Sequence, residues 1–231
     1  MKNGKWRILV LTVMIFLFGS GCFSNEATEY MDLVRSTLDA GYHGNMDNYL
    51  RLSDSSKEQA DGLYLSMQNY VETCVKYYTF VVEEYLTEEQ HEAFRKLSRD
   101  LLNAARYSVE EAVKQSDNQY TVKVNITPIR FWEQISAELE QEMESYNAKH
   151  SAVDTSNEEQ IAVLEREYAD HILTICENYI AKVEYEPQIS MDLTVNVKDR
   201  KGNVDASEWD ALDDVILNVQ YILDAYGVAE E

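Results

Sequence analysis

A chain of 231 residues with 42 Asp and Glu against 20 Lys and Arg carries a formal charge of −22. That balance excludes nucleic acid and an anionic bilayer surface as direct partners, because their phosphates would repel it, and it suits cations, basic peptides or a basic receptor loop. The length is enough to bury one good core, or at most two small ones.

The first 22 residues form a unit of their own. Lys2, Lys5 and Arg7 make a basic start, residues 8–18 are an apolar run of 11, and Gly19, Ser20 and Gly21 lead directly to Cys22. The run is too short to span a bilayer, which takes about 20 apolar residues, and has the proportions of a cleaved export signal. Small residues before a cysteine leave the scissile bond open and provide a thiol to acylate. This stretch resembles the signal peptides of bacterial lipoproteins. The resemblance implies that residues 1–21 are removed by cleavage after Gly21 and that Cys22 is the lipid-attachment site. The protein would then be held on the outer, extracytoplasmic face of the cell membrane. Two acyl chains on one cysteine would hold it firmly, at about 0.8 kcal/mol per buried methylene. The remaining 210 residues carry a formal charge of −25, since three positive charges leave with the signal. A tether of residues 22–26 reaches roughly 15 Å at about 3.5 Å per residue, so the domain that follows stays near the bilayer.

Residues 27–231 read as one extracytoplasmic domain. An amphipathic helix is predicted over 27–40, with Tyr30, Leu33, Val34 and Leu38 on one face and Gly41 as its stop. A short helix follows at 45–52. Ser55 and Glu58 have capping-box spacing for a long helix bearing Leu63, Met67, Tyr70, Cys74, Tyr78, Val81 and Tyr85 as one stripe. Thr87 and Gln90 cap the next helix, to about residue 105. The period then becomes two: 109–115 and 120–126 read as a hairpin turning at 116–118. Thr127 is the expected N-cap of a helix to about residue 149, with Pro128 at its first position and Ile126 stapled to Phe131. Trp132, Ile135, Leu139, Met143 and Tyr146 face inward. After a polar loop at 150–156, a second helix to 183 turns Ile161, Leu164, Tyr168, Ile172, Ile175 and Tyr179 inward. Ile189, Met191, Leu193, Val195 and Val197 alternate as a strand. A turn at 199–203 and an Asp205–Glu208 cap precede a last helix to about residue 226. The order lacks βαβ repetition, which argues against a parallel sheet. The expected fold is α+β: a helix-rich single domain with a small antiparallel sheet of about three strands and a long helical hairpin at 129–183.

Beyond the signal, three stretches carry a wider resemblance: A-G-x-x-G-N-M-D-N-Y at 40–49, N-I-T-P-I-R-F-W at 125–132, and G-N-V-D-A-S-E-W-D-A-L-D-D-V-I-L at 202–217. Together they resemble the uncharacterised envelope lipoproteins of Gram-positive bacteria. That resemblance implies a compact α+β domain, in some members cystatin-like or NTF2-like in outline, and an extracytoplasmic binding role. It brings no catalytic residues.

The residues themselves offer few sites. Cys74 and Cys176 lie on apolar helix faces, and two cysteines are too few for a disulfide scaffold, so unpaired thiols are expected. Residues 197–208 place Gly202, Asp205 and Glu208 at calcium-loop positions, but the first position is Val197 and the fifth is Lys201, so the Asp205–Glu208 cap is the simpler reading. His91-Glu92 lacks the second His of a zinc motif, since Arg95 stands there. His171 is read as a core or boundary residue. His43, beside Tyr42 and Asp47, is the least implausible catalytic grouping. Most of the 16 tyrosines, including Tyr70, Tyr78, Tyr85, Tyr168 and Tyr179, are read as core; any pocket is expected between the sheet and the long helices, lined by some of them. Residues 133–170 hold 11 acids against Lys149 and Arg166, a solvated face or a docking arm for a basic loop. The resulting expectation is a lipid-anchored binding or interaction lipoprotein, non-enzymatic, with no catalytic, metal or cofactor residues. Its partners would be membrane lipid through Cys22 and a membrane protein or basic peptide. The rival is a small lipid-anchored enzyme with an NTF2-like pocket.

Overall fold

The computed structural model describes residues 26–225 apart from 54, 155 and 200. Gly21 and Cys22, and the signal read around them, lie outside the described residues. The helices in chain order are α1 (Glu26–His43), α2 (Met46–Leu52), α3 (Lys57–Tyr78), α4 (Glu88–Asn103), α5 (Phe131–His150), α6 (Glu158–Ile180), α7 (Ala206–Leu217) and α8 (Gln220–Ala225). The strands are β1 (Arg106–Ser116), β2 (Gln119–Thr127), β3 (Ile189–Lys198) and β4 (Lys201–Val204), forming one antiparallel sheet in the order β1-β2-β3-β4. The fold is α+β and helix-rich, as expected. The sheet has four strands instead of about three, because residues read as a turn pair back on β3, with Val195 opposite Val204 and Lys198 opposite Lys201. Among the described residues, no helix is long and apolar enough to cross a membrane. The chain divides into two compact units.

The first unit takes residues up to 66, 109–124 and 191–213. Along α1, Tyr30, Leu33, Val34, Leu38 and Tyr42 recur every three or four positions and are buried. Tyr120, Val122 and Val124 alternate inward on β2, as Leu193 and Val195 do on β3. Gly202 of β4 lets helix and strand meet: a Cβ there would stand 2.9 Å from both the Tyr30 ring and the Val195 side chain. Three expectations fail here, each by a short shift. Glu26, assigned to the tether, already belongs to α1. Gly41 does not stop that helix, which continues to His43; the left-handed residue that ends it is Gly44, at φ +64°. The box opening α3 is formed by Ser56 and Gln59, whose side chains each accept from the other's backbone N–H at 3.3 and 2.7 Å, one position after Ser55 and Glu58.

The second unit takes residues 67–108, 125–190 and from 214 onward. The buried face of α3 is Met67, Val71, Val75 and Tyr78, so the stripe is rotated from the one expected, and the helix ends at Tyr78. Val81 is buried in the turn that follows, and Tyr85 closes a 3₁₀ turn (Glu83–Tyr85). Thr87 and Gln90 form the expected box, their bonds at 3.2 and 3.0 Å. Pro128 does not open α5. Residues 128–130 instead run alongside 184–186: Glu186 donates to the Pro128 carbonyl at 2.8 Å, Arg130 to Glu184 at 2.9 Å, and Ile129 bridges Tyr185. The helix starts three residues after Pro128, capped at Arg130, and the Thr127 cap with its staple gives way to strand. Trp132, Ile135 and Leu139 are buried on α5, facing the buried Leu164, Tyr168, Ile172 and Cys176 of α6 as a helical hairpin. The final helix breaks in two at Asn218, φ +52°, a conformation that asparagine adopts more readily than most residues.

Candidate functional site

A pocket of about 330 Å³ opens in the first unit, lined by Glu26 and Tyr30 of α1, Asp117 and Asn118 of the β1–β2 turn, Tyr120 of β2, and Val197, Lys198 and Asp199 at the end of β3. Small-ligand sites begin at about that size. Antiparallel pairing brings the turns together: the Val197 N–H donates to the Asn118 carbonyl at 2.8 Å, so the two turns share one end of the sheet. Asp199 holds φ +53°, a backbone state open to aspartate because its short side chain is tolerated there. The first turn of α1 contributes Glu26, whose carboxylate accepts the Tyr120 hydroxyl at 2.6 Å. Tyr30 and Tyr120 pack with ring centroids 4.6 Å apart and planes inclined 49°.

The electrostatics follow from this contact. The Glu26 carboxylate, helped by burial, pushes the Tyr120 phenol up to about 12. Burial, then the charges of Glu26 and Glu29, raises Tyr30. Both phenols are therefore neutral donors at physiological pH. Three carboxylates and one lysine line the opening, and Lys114 stands 3.4 Å from Asp117 and 5.9 Å from the centre of the Tyr120 ring. The arrangement favours a polar or positively charged group over an anion.

The pocket is not where it was expected. It lies at the sheet end by the start of α1, and of its tyrosines neither Tyr30 nor Tyr120 was among the five named for the core. Tyr78 and Tyr168 are buried as expected, whereas Tyr70, Tyr85 and Tyr179 keep partial exposure. His43 is exposed and takes no part in the lining, and the Tyr42 hydroxyl donates to Asp213 at 2.6 Å. His171 is exposed too, its Nδ1 2.9 Å from Glu142. In the calcium-like stretch, Asp205 accepts from the Ser207 N–H at 2.9 Å as a helix cap, while Glu208 accepts from the Thr194 N–H at 2.6 Å. The cap thus exists without its reciprocal half. Cys74 and Cys176 are free thiols, both pushed up to about 12 by burial.

A second cluster lies in the other unit. Glu72, Glu83 and His91 bring ligand-type atoms within 4.8 Å of one another, and the buried Lys76 ammonium sits 2.5 Å from Glu72 and 3.3 Å from Glu83. Lysine serves there as the counter-charge. Three acids of the helical hairpin are engaged by its own side chains: Glu165 accepts from Tyr146, Glu167 pairs with Lys149 at 2.6 Å, and Glu138 accepts from Tyr179 at 2.8 Å.

No family model matches this chain, and no curated protein matches it in sequence. Its fold is similar to that of a solved "putative lipoprotein (ycdA)" from Bacillus subtilis subsp. subtilis str. 168, with a TM-score of 0.55 at 10% identity. The match covers 84% of this chain but only 57% of the neighbour. The likeness is one of fold.

Proposed function

We propose that the protein is a lipid-anchored extracytoplasmic binding lipoprotein, non-enzymatic, which presents its tyrosine-backed acidic pocket beside the outer face of the membrane. The observation that carries this reading is the position of Glu26: it forms part of the pocket wall and follows Cys22 by only four residues. If Cys22 carries the lipid, the chain cannot take that wall farther than about 15 Å from the acylated cysteine. The pocket would then sample ligands or partner segments at the bilayer surface, and its carboxylates would select polar or cationic groups. The fold likeness to a protein described as a lipoprotein supports the same setting.

The test compares wild type with Cys22→Ala by membrane fractionation and by labelling with a clickable fatty acid. Wild type should be labelled and sediment with membranes, and the variant should be unlabelled and leave that fraction. Labelling that survives Cys22→Ala, or a variant that stays membrane-bound, would overturn the anchor and with it the membrane-proximal pocket.

A further inference from the structure

We infer that the pocket at the end of the sheet takes a primary ammonium group, held by the Glu26 carboxylate and by the Tyr30 hydroxyl as a second acceptor. The inference deepens the binding reading and rests on it, since it names the chemistry that the same pocket receives. Tyr30 carries the argument. The residue is only 4% exposed and lines the pocket. Its hydroxyl meets no hydrogen-bond partner among the described residues. A buried hydroxyl left unpaired costs about 1–3 kcal/mol, and the other buried tyrosines avoid that cost. The hydroxyls of Tyr42, Tyr78, Tyr120 and Tyr168 all donate within the fold, and that of Tyr49 accepts from Ser55. Tyr30 differs from them in that it opens on the pocket with its polar tip unmet.

Charge and donor count select the ligand. Glu26 and Tyr30 stand four residues apart on α1, so both reach the pocket from one face of the helix. Glu26 accepts the Tyr120 hydroxyl through Oε2, and its Oε1 has no partner among the described residues. The phenol is a neutral donor, so the carboxylate keeps its charge. Lys114 already answers Asp117 at 3.4 Å, which leaves Glu26 and Asp199 facing Lys198. One positive charge from the ligand balances that lining, and an oxyanion would meet two carboxylates for one lysine. A primary ammonium brings three N–H donors and can satisfy Glu26 and the Tyr30 oxygen together. A quaternary ammonium has none and would leave both unmet. Nor do the rings compensate it, since Tyr30 and Tyr120 are buried against each other and offer no open face. At about 330 Å³ the cavity has room for the amine and for the group that bears it. Aminolipid headgroups and soluble amines share this chemistry, and both reach a pocket beside the membrane.

The experiment titrates the full chain, held in a nonionic detergent, with ethanolamine and with choline, its trimethylated analogue of equal charge. Tyrosine ring signals in NMR report the binding. Wild type should bind ethanolamine about tenfold more tightly than choline. Tyr30→Phe should weaken ethanolamine about tenfold and leave choline unchanged. It should also melt at or above the wild-type temperature, because it deletes an unpaired buried hydroxyl. Glu26→Gln should weaken both cations. Equal affinity for the two, binding of neither, or a Tyr30→Phe that binds ethanolamine like wild type would each overturn the inference. So would a clearly lowered melting temperature for Tyr30→Phe, since the hydroxyl would then be bonded within the fold. Repeating the ethanolamine titration in phosphatidylcholine vesicles, with and without phosphatidylethanolamine, assigns the source. Suppression by the aminolipid identifies a headgroup ligand, and its absence identifies a soluble amine. Failure of the anchor reading is distinguishable, because Cys22→Ala protein released from the membrane would keep its preference for ethanolamine. Failure of the present inference would leave the labelling of Cys22 intact.

Discussion

The hydroxyl of Tyr120 donates to the carboxylate of Glu26 across 94 residues of chain, at 2.6 Å, and this single bond joins the start of α1 to the sheet end that forms the pocket. Because the bond requires the neutral phenol, it lifts the pKa from about 10 in the unfolded chain to about 12. A folded pKa above the unfolded one contributes stability that is complete below pH 10 and is lost as pH rises through about 12. Glu26→Gln keeps an acceptor but removes the charge. Ultraviolet tyrosinate titration should then show one phenol ionising earlier, nearer pH 10, and Tyr120→Phe should remove that step from both backgrounds. An unchanged titration in Glu26→Gln would mean that the carboxylate does not hold the phenol.

What could be read from the sequence was decided by distance along the chain. The Thr87–Gln90 box and the alternation of β2 and β3 depend on residues within a few positions of each other, and they fold as read. The pocket depends on β2–β3 register, which sets Asn118 against Val197 across almost eighty residues; neither turn shows this by composition. Local signals also failed where a tertiary contact outbid them. Pro128 reads as a helix start, yet backbone pairing with 184–186 claims its neighbours first. Phe80 carries no turn signal at all, yet its left-handed backbone and the Val81–Lys76 backbone bond turn the chain just after α3 ends at Tyr78.

Gly202 makes the second prediction. Both the Tyr30 ring and Val195 stand 2.9 Å from where its Cβ would lie, with Leu33 at 3.1 Å. Tyr30, Leu33 and Val195 are all buried and have little room to give, so Gly202→Ala should overpack the contact and cost about 1–3 kcal/mol. That outweighs the gain of less than about 1 kcal/mol from a stiffer unfolded chain. A denaturant melt should show a lower midpoint at unchanged slope, and an equal or higher midpoint would refute the close packing of α1 on β4.

Trp132 tests the second unit separately. Its indole N–H donates to the Leu217 carbonyl at 2.6 Å, and its ring meets Tyr78 edge-on at 5.6 Å and Phe131 at 5.1 Å. Trp132→Phe keeps an aromatic ring but leaves a buried carbonyl without this donor. The expected loss is about 1–3 kcal/mol from the orphaned acceptor, with a further loss from reduced volume. Hydrogen exchange should show the region near Asn218 loosening first. A variant as stable as wild type would show that the bond makes no net contribution.

The lysine at the Glu72–Glu83–His91 cluster supports the last prediction. Lys76 and Glu72 are both largely buried and lie 2.5 Å apart, while Glu83 is largely exposed and contributes a screened contact. Lys76 also lies 5.8 Å from the centre of the Phe94 ring, so its stem already runs through apolar surroundings. Lys76→Met alone removes the counter-charge and leaves a carboxylate with little access to water, which should cost about 3 kcal/mol. Adding Glu72→Leu replaces the pair with apolar volume, and the double variant should return to within about 1 kcal/mol of wild type. A thermal-melt double-mutant cycle measures both, and a single Lys76→Met that melts like wild type would show that Glu72 is relieved by solvent or by proton uptake instead of by its lysine.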